Sequence, residues 1–240
     1  MCIRDSQRMK LLAFETSTEA CSVAVFADGE VHARFEVAPR RHAELALPWA
    51  EALLAEAGIA RSRLDAIAVG RGPGAFTGVR LGIAIAQGIA LALDVPVVPV
   101  STLATLAAAA LRDHPDAHVL TAIDARMGEV YVAGYAAGAQ GPTLLDAERV
   151  CAPEQVEVAE GDDWIGVGTG FAAVEGALVQ RLGGRLRRVD AGALPHAADT
   201  ARLAVLLHAA GGGVAQEHAE PAYLRNNVAL TLAEQAARRG

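Results

Sequence analysis

Two loops in this chain of 240 residues carry the residue types that handle phosphate. The first is Glu15-Thr16-Ser17-Thr18, between the short apolar runs Leu11 to Phe14 and Cys21 to Phe26. In such a turn hydroxyls and backbone N–H groups can point at an anion, and an acidic residue can hold Mg²⁺ through water. An ordinary polar turn would read the same way. The second loop, Gly70-Arg71-Gly72-Pro73-Gly74-Ala75-Phe76-Thr77-Gly78, follows a strand pattern and precedes a helical one. Its glycines allow close backbone approach, and a helix N-terminus favours negative charge. The alternative is a tight strand-to-helix turn that seats the helix close on a sheet. The loop matches neither the P-loop nor the dinucleotide-binding glycine pattern.

The helix after that loop carries a second signal. Gly78, Gly82, Ala86 and Ala90 recur every four residues as a narrow ridge, with Leu81, Ile85 and Ile89 as a bulky stripe beside it. Glycine in a helix costs about 0.5–1 kcal/mol relative to alanine, so close approach must compensate. The approach could be internal, against the sheet, or external, against a partner's helix. Upstream, Leu45, Trp49 and Leu53 share a helical face, Pro48 begins or kinks that helix, and Gly58 stops it. Metal chemistry finds little support: the seven histidines and three cysteines lack ligand spacing, and there is no HExxH pattern.

The elements that position these loops alternate between two periods. Strands are expected at Leu11 to Phe14, Cys21 to Phe26 and Val31 to Val37, the last half-buried by alternation and joined through an Asp28-Gly29 hairpin. Next come the Leu45 helix, a strand Leu64 to Val69, a helix Val79 to Leu93, a strand Val95 to Val100 and a helix Thr102 to Arg112 capped by Ser101. The pattern restarts near His114 with strands Val119 to Ile123 and Val130 to Tyr135. Then follow a strand Trp164 to Val167, a helix Ala172 to Leu182, a strand Leu186 to Val189 and a helix Pro195 to Ala210. This predicts an α/β chain of two lobes, residues 9–113 and 114–222, each opened by an antiparallel hairpin. Residues 223–240 form a C-terminal segment, helical from about Val228 to Arg239, and residues 1–8 read as a non-native or mis-called leader.

Composition sets the remaining limits. The chain is 52% hydrophobic but 4% aromatic, so its apolar mass is mainly Ala, Leu and Val, which suits close-packed helices. A net charge of −7 offers no basic field for gripping a nucleic-acid backbone. Cys2, Cys21 and Cys151, without redox spacing or a secretion signal, suit a reducing cytoplasm. The most apolar stretch, Val79 to Val100, is interrupted by Arg80, Gln87, Asp94 and two prolines, so a buried helix and strand are expected there rather than a membrane span.

The runs Leu12 to Thr18, Arg41-His42-Ala43-Glu44 and Gly72 to Gly82 resemble the TsaB (YeaZ) family, as do Asp124 to Tyr131 and Pro221-Ala222-Tyr223-Leu224-Arg225. The resemblance covers the chain from Met9 onward. It implies an actin-like fold (the ribonuclease H-like, ASKHA class) and a role in making threonylcarbamoyladenosine beside the anticodon of tRNA. In that pathway TsaC-type enzymes make a threonylcarbamoyl-adenylate and TsaD transfers its threonylcarbamoyl group to adenosine. The resemblance also implies that the chain is not an enzyme on its own. It would pair with TsaD through first-lobe helices, be joined by the ATPase TsaE, self-pair when alone, and meet tRNA only indirectly. Carried onto this chain, the interface candidates are Leu45, Trp49, Leu53, Gly78, Leu81, Gly82, Ile85 and Ile89.

The departures from the catalytic relative weigh as much. TsaD-like proteins place two metal-binding histidines four apart, whereas here His42 is followed at that spacing by Ala46. In the second lobe, Arg126 and Met127 stand where a nucleotide-closing turn wants small residues. The nucleotide-site candidates are therefore a degenerate set: Glu15, Thr16, Ser17, Gly72, Gly74, Thr77, Asp124, Gly168 and Gly170. No cofactor is expected to bind tightly, although a weakly held nucleotide is compatible with these residues. An ATP-dependent small-molecule kinase of the same fold is the competing reading.

Overall fold

The computed structural model describes residues 8–225 apart from 140, 160 and 162. Residues 1–7 of the expected leader and the expected C-terminal helix lie outside the described residues.

Two sheets are built on one plan. The first contains β1 (Lys10–Glu15), β2 (Ala20–Ala27), β3 (Glu30–Val37), β4 (Ala66–Gly70) and β5 (Val97–Val100), in the order β3-β2-β1-β4-β5. β1, β2 and β3 are antiparallel, while β1, β4 and β5 are parallel. The second contains β6 (His118–Arg126), β7 (Glu129–Gly138), β8 (Gly141–Leu144), β9 (Arg149–Cys151), β10 (Trp164–Val167) and β11 (Leu186–Asp190). It is ordered β11-β10-β6-β7-β8, with β9 also paired to β7, so β6 takes the place of β1 and β10 that of β4. The hairpins follow from local chemistry. Asp28 and Gly29 both have positive φ, 51° and 89°, which matches a two-residue turn to the strand twist.

Among the described residues, five α-helices pack on these sheets. α1 (His42–Glu56) and α2 (Phe76–Leu93) lie on the outer face of the first sheet, against Leu12, Phe14, Val23, Val25, Ile67 and Val69. The alternate residues Leu11, Ala13, Ala24 and Phe26 face α5 (Ala197–Ala209) on the other side. α3 (Thr102–Asp113), capped by Ser101 Oγ accepting from Ala104 N at 3.2 Å, packs Leu103, Leu106, Ala107 and Leu111 on the second sheet. α4 (Ala177–Leu182) covers that sheet's far face through Leu178 and Leu182. The helix that ends the first half thus serves the second sheet, and α5 serves the first. Neither sheet completes its core from its own half of the chain.

Three expectations need correction. β3 is an edge strand whose apolar residues are not half-buried by alternation. Phe35 and Val37 are 40% and 54% exposed, and Phe35 stacks on His196 with centroids 5.1 Å apart. The helix expected over Ala172 to Leu182 is broken, because Val174, Glu175 and Gly176 all take positive φ and α4 begins only at Ala177. β8 and β9 were not expected; Gly141-Pro142-Thr143-Leu144 carries turn formers rather than a strand pattern.

α2 settles the orientation of its small-residue ridge. Gly78, Gly82, Ala86 and Ala90 are buried against the sheet. A Cβ on Gly78 would overlap the carbonyl oxygen of Thr16, and one on Gly82 would stand 2.6 Å from Thr16 Oγ1 and 3.2 Å from Val69 Cγ2. Gly88 has open space around its Cα and faces outward. Opposite outcomes are therefore expected from one substitution. Gly82→Ala should destabilise the fold by about 1–3 kcal/mol through overpacking. Gly88→Ala should stabilise it by about 0.5–1 kcal/mol through helix propensity. Urea-unfolding midpoints of the two variants check both signs.

Candidate functional site

At the C-terminal ends of β1 and β4 the two first-lobe loops interlock. Glu15, Thr16 and Ser17 are buried at 1%, 0% and 0% exposure, which is unusual for residues in a turn. Ser17 N donates to Glu15 Oε1 at 2.9 Å, and Thr16 Oγ1 donates to Gly78 O at 2.8 Å, in the first turn of α2. Ala75 N donates to Ser17 O at 2.7 Å, joining the second loop to the first. Gly70 and Gly74 are required by this closeness, since a Cβ on either would overlap Glu15 or Ser17. The glycines bring the backbone close to this protein's own turn.

Among the described residues no cation pairs with Glu15. Burial pushes its carboxyl above the usual carboxylate range, opposed by hydrogen bonds from Ser17, Thr102 and Thr16. Thr102 Oγ1 lies 3.4 Å from Glu15 Oε2 and 3.0 Å from Ser17 Oγ, and Ser17 Oγ lies 3.5 Å from Gly70 O. Thr102 Oγ1 can donate to Glu15 Oε2 or to Ser17 Oγ, and Ser17 Oγ to Gly70 O, so Thr102 links the acid to the first turn. Thr102 belongs to this cluster although no sequence pattern pointed to it. Thr77, a candidate, stands exposed at the start of α2 and outside the cluster; Gly72 is buried, and its carbonyl accepts from Thr102 N at 3.0 Å.

The second lobe repeats the plan with other residues. Asp124, at the end of β6, accepts from Arg126 N and from Arg126 Nη1, each at 2.7 Å, so its charge is neutralised locally. Thr169 Oγ1 accepts from Asp124 N at 3.2 Å, and Gly168 and Gly170 lie so close to Ala122 that neither tolerates a Cβ. The lobes are joined beside these turns through Glu148, which accepts from Arg71 Nη2 at 3.3 Å, from Tyr135 Oη at 3.1 Å and from Ser101 Oγ. His42 is buried, with Nε2 positioned to donate to Thr18 O at 2.9 Å and Ala20 O at 3.1 Å. It holds the first turn in shape.

Of the interface candidates, Leu53 is 2% exposed and Gly78 and Gly82 are buried against the sheet. These three point into the chain's own core and cannot contribute a docking surface. Leu45, Trp49, Leu81, Ile85 and Ile89 are half-buried on the adjoining flanks of α1 and α2. Leu47 and Leu91, 47% and 66% exposed, are apolar surface residues of the same helices that the sequence reading did not include.

Two sheets of one order, each with an acidic turn at its first strand and helices crossing between them, define a two-lobed protein of the actin-like, ribonuclease H-like class. The family model described as TsaD, tRNA N6-adenosine threonylcarbamoyltransferase, matches residues 25–231. The tRNA threonylcarbamoyladenosine biosynthesis protein TsaB of Escherichia coli (strain K12) is 46% identical, over 92% of this chain and 96% of its own. Its Haemophilus influenzae counterpart is 40% identical over the same shares. The solved structure of YeaZ from Pseudomonas aeruginosa superposes with a TM-score of 0.84 at 48% identity, covering 90% of this chain and all of that one. The chain belongs to the TsaB (YeaZ) family.

A buried acid with a raised pKa makes stability depend on pH. Below the unfolded value Glu15 is neutral in both states. As the pH rises, the unfolded chain ionises first, and stability falls until the folded acid ionises too. Glu15→Gln removes that loss, so its melting temperature should gain on that of the unaltered chain over the range of pH above the unfolded glutamic-acid value, about 4. Parallel melting curves across that range would mean that Glu15 folds as a carboxylate.

Proposed function

We propose that this chain is a non-catalytic subunit in the formation of threonylcarbamoyladenosine in tRNA, acting by pairing with a TsaD-type transferase through the outer faces of α1 and α2. The observation that carries this reading is the surface of α2. The helix is apolar enough to pass for a membrane span, yet only 33% of it is buried. Outward from the core it presents Leu81, Ile85, Ile89 and Leu91 beside the small residues Ala84, Gly88 and Ala92, with the half-buried Leu45 and Trp49 of α1 packed on the same core cluster as Ile85 and Ile89. Large and small apolar residues in alternate rows let another helix approach closely, and an exposed patch of this kind marks a docking site on a protein surface. In isolation the same face can serve a second copy of the chain, and TsaE would join the assembled pair.

The two loop clusters support a supporting rather than a catalytic role. A phosphate entering the first lobe would have to displace hydrogen bonds already made by Ser17 N, Thr16 Oγ1 and Ala75 N, at about 1–3 kcal/mol for each group left unsatisfied. Asp124 is already paired with Arg126. Tight nucleotide binding is accordingly not part of this proposal. Nor is direct gripping of tRNA, given the net charge of −7.

Reconstitution tests the role. With tRNA, threonine, bicarbonate and ATP, the chain alone should form no product, and adding it to TsaC-, TsaD- and TsaE-type proteins should raise the yield many-fold. Equal yield without it would end the proposal. Ile85→Arg and Gly88→Arg should each abolish co-purification with the TsaD-type partner while leaving circular dichroism and melting temperature near those of the unaltered chain. Undiminished pairing in both would move the contact elsewhere.

A further inference from the structure

The last described stretch of chain, residues 214–225, belongs to neither sheet and touches both lobes. Val214 exchanges two backbone hydrogen bonds with Val97 at the start of β5, at 3.0 and 2.8 Å. Gln87 of α2 donates from Nε2 to Gln216 O at 2.9 Å and to Ala219 O at 3.2 Å, and Ala219 is sealed into the first-lobe core at 2% exposure. Ala222 N then donates to Arg71 O in the glycine loop at 2.8 Å. Tyr223 Oη accepts from Arg80 Nη2 at 2.7 Å, and the Arg80 guanidinium lies 3.2 Å over the Phe76 ring. The stretch therefore runs the length of α2, from its C-terminal to its N-terminal end, held at every step by a polar contact.

It ends on the second lobe. Arg225 is 17% exposed and donates from Nη2 to Ala125 O at 3.2 Å and to the Glu129 carboxylate, with Arg126 O at 3.5 Å and Met127 Sδ 3.6 Å from Nη1. All these acceptors lie on the β6–β7 hairpin, where Arg126 and Met127 hold φ of 62° and 59°. Left-handed backbone costs about 1–2 kcal/mol at a residue other than glycine, so this turn needs outside support. The ladder also slips between Asp124 and Arg126, which leaves carbonyls at the tip for a side chain to satisfy.

We propose that residues 214–225 act as a belt that ties the second-lobe hairpin to the first lobe and holds the lobes in one relative position, with Arg225 as its fastening. The Glu148 contacts join the lobes at a second point, but through β5–α3 and the segment between β8 and β9. Among the described residues, the hydrogen bonds that link the hairpin to α2 run through the belt. Its prediction is that loosening it anywhere along its length frees the hairpin, even at a residue the hairpin does not touch.

Hydrogen exchange followed by mass spectrometry on the full chain tests this with two variants. Arg225→Ala removes the fastening, and Ala222→Pro removes the N–H that anchors the belt to Arg71. Both are expected to speed exchange of amides 125–130 by about tenfold or more while β1 and β4 keep their protection. Unaltered exchange of 125–130 in Ala222→Pro would reduce Arg225 to a local contact and overturn the belt. So would unaltered exchange in Arg225→Ala, or a loss of protection spread evenly through both sheets in either variant.

Discussion

The contact on which the rest of the molecule depends is the seating of the Glu15-Thr16-Ser17 turn against Gly70, Gly74, Gly78 and Gly82. Each glycine has lost its side chain to an atom of that turn or of a neighbouring strand. The fit fixes where β4 ends and how closely α2 lies on the sheet. It also fixes the rotation of α2 about its own axis, because Gly78 and Gly82 can face only inward. Whatever α2 presents to the outside is set by this buried contact. The most polar part of the first lobe and its most apolar surface are thus two sides of one arrangement.

The second lobe reaches the same end differently. Where Glu15 is buried, Asp124 is partly exposed and paired with Arg126; where Gly70 and Gly74 approach the first turn, Gly168 and Gly170 approach Ala122. In both lobes polar groups of the turns pair within the protein. A turn of this shape can serve as a site only if its donors are left free, and here the donors at Ser17, Thr16 and Ala75 are taken.

The legible part of this design lay in local periodicity. The apolar runs of β1 and β2, the Asp28-Gly29 turn and the Ser101 cap were readable because each depends on neighbours a few residues away. The inward ridge of α2 was readable as a ridge, but a period of four says nothing about which side of a helix the sheet occupies. Phe35 and Val37 carried a strand pattern that could not announce an edge position. Thr102 joins Glu15 across 87 residues of chain, and Arg225 joins Glu129 across 96. Partnerships of that separation leave no spacing for a sequence reading to find. The break at Val174-Glu175-Gly176 was hidden for another reason: valine and glutamate in left-handed backbone contradict their own propensities.

Gly88 carries the argument outward. A helix glycine is tolerated where close contact offsets its entropy, and Gly78 and Gly82 meet that condition within the chain. Gly88 does not: nothing lies within 4 Å of where its Cβ would stand, and the small residues Ala84 and Ala92 continue its row along the exposed side. Alanine there would make a better helix for the isolated chain. Under the docking role proposed for α2, the reason for a glycine here is the close approach of a surface from another molecule. The flanking Leu81, Ile85 and Ile89 define the width of the groove such a surface would fill.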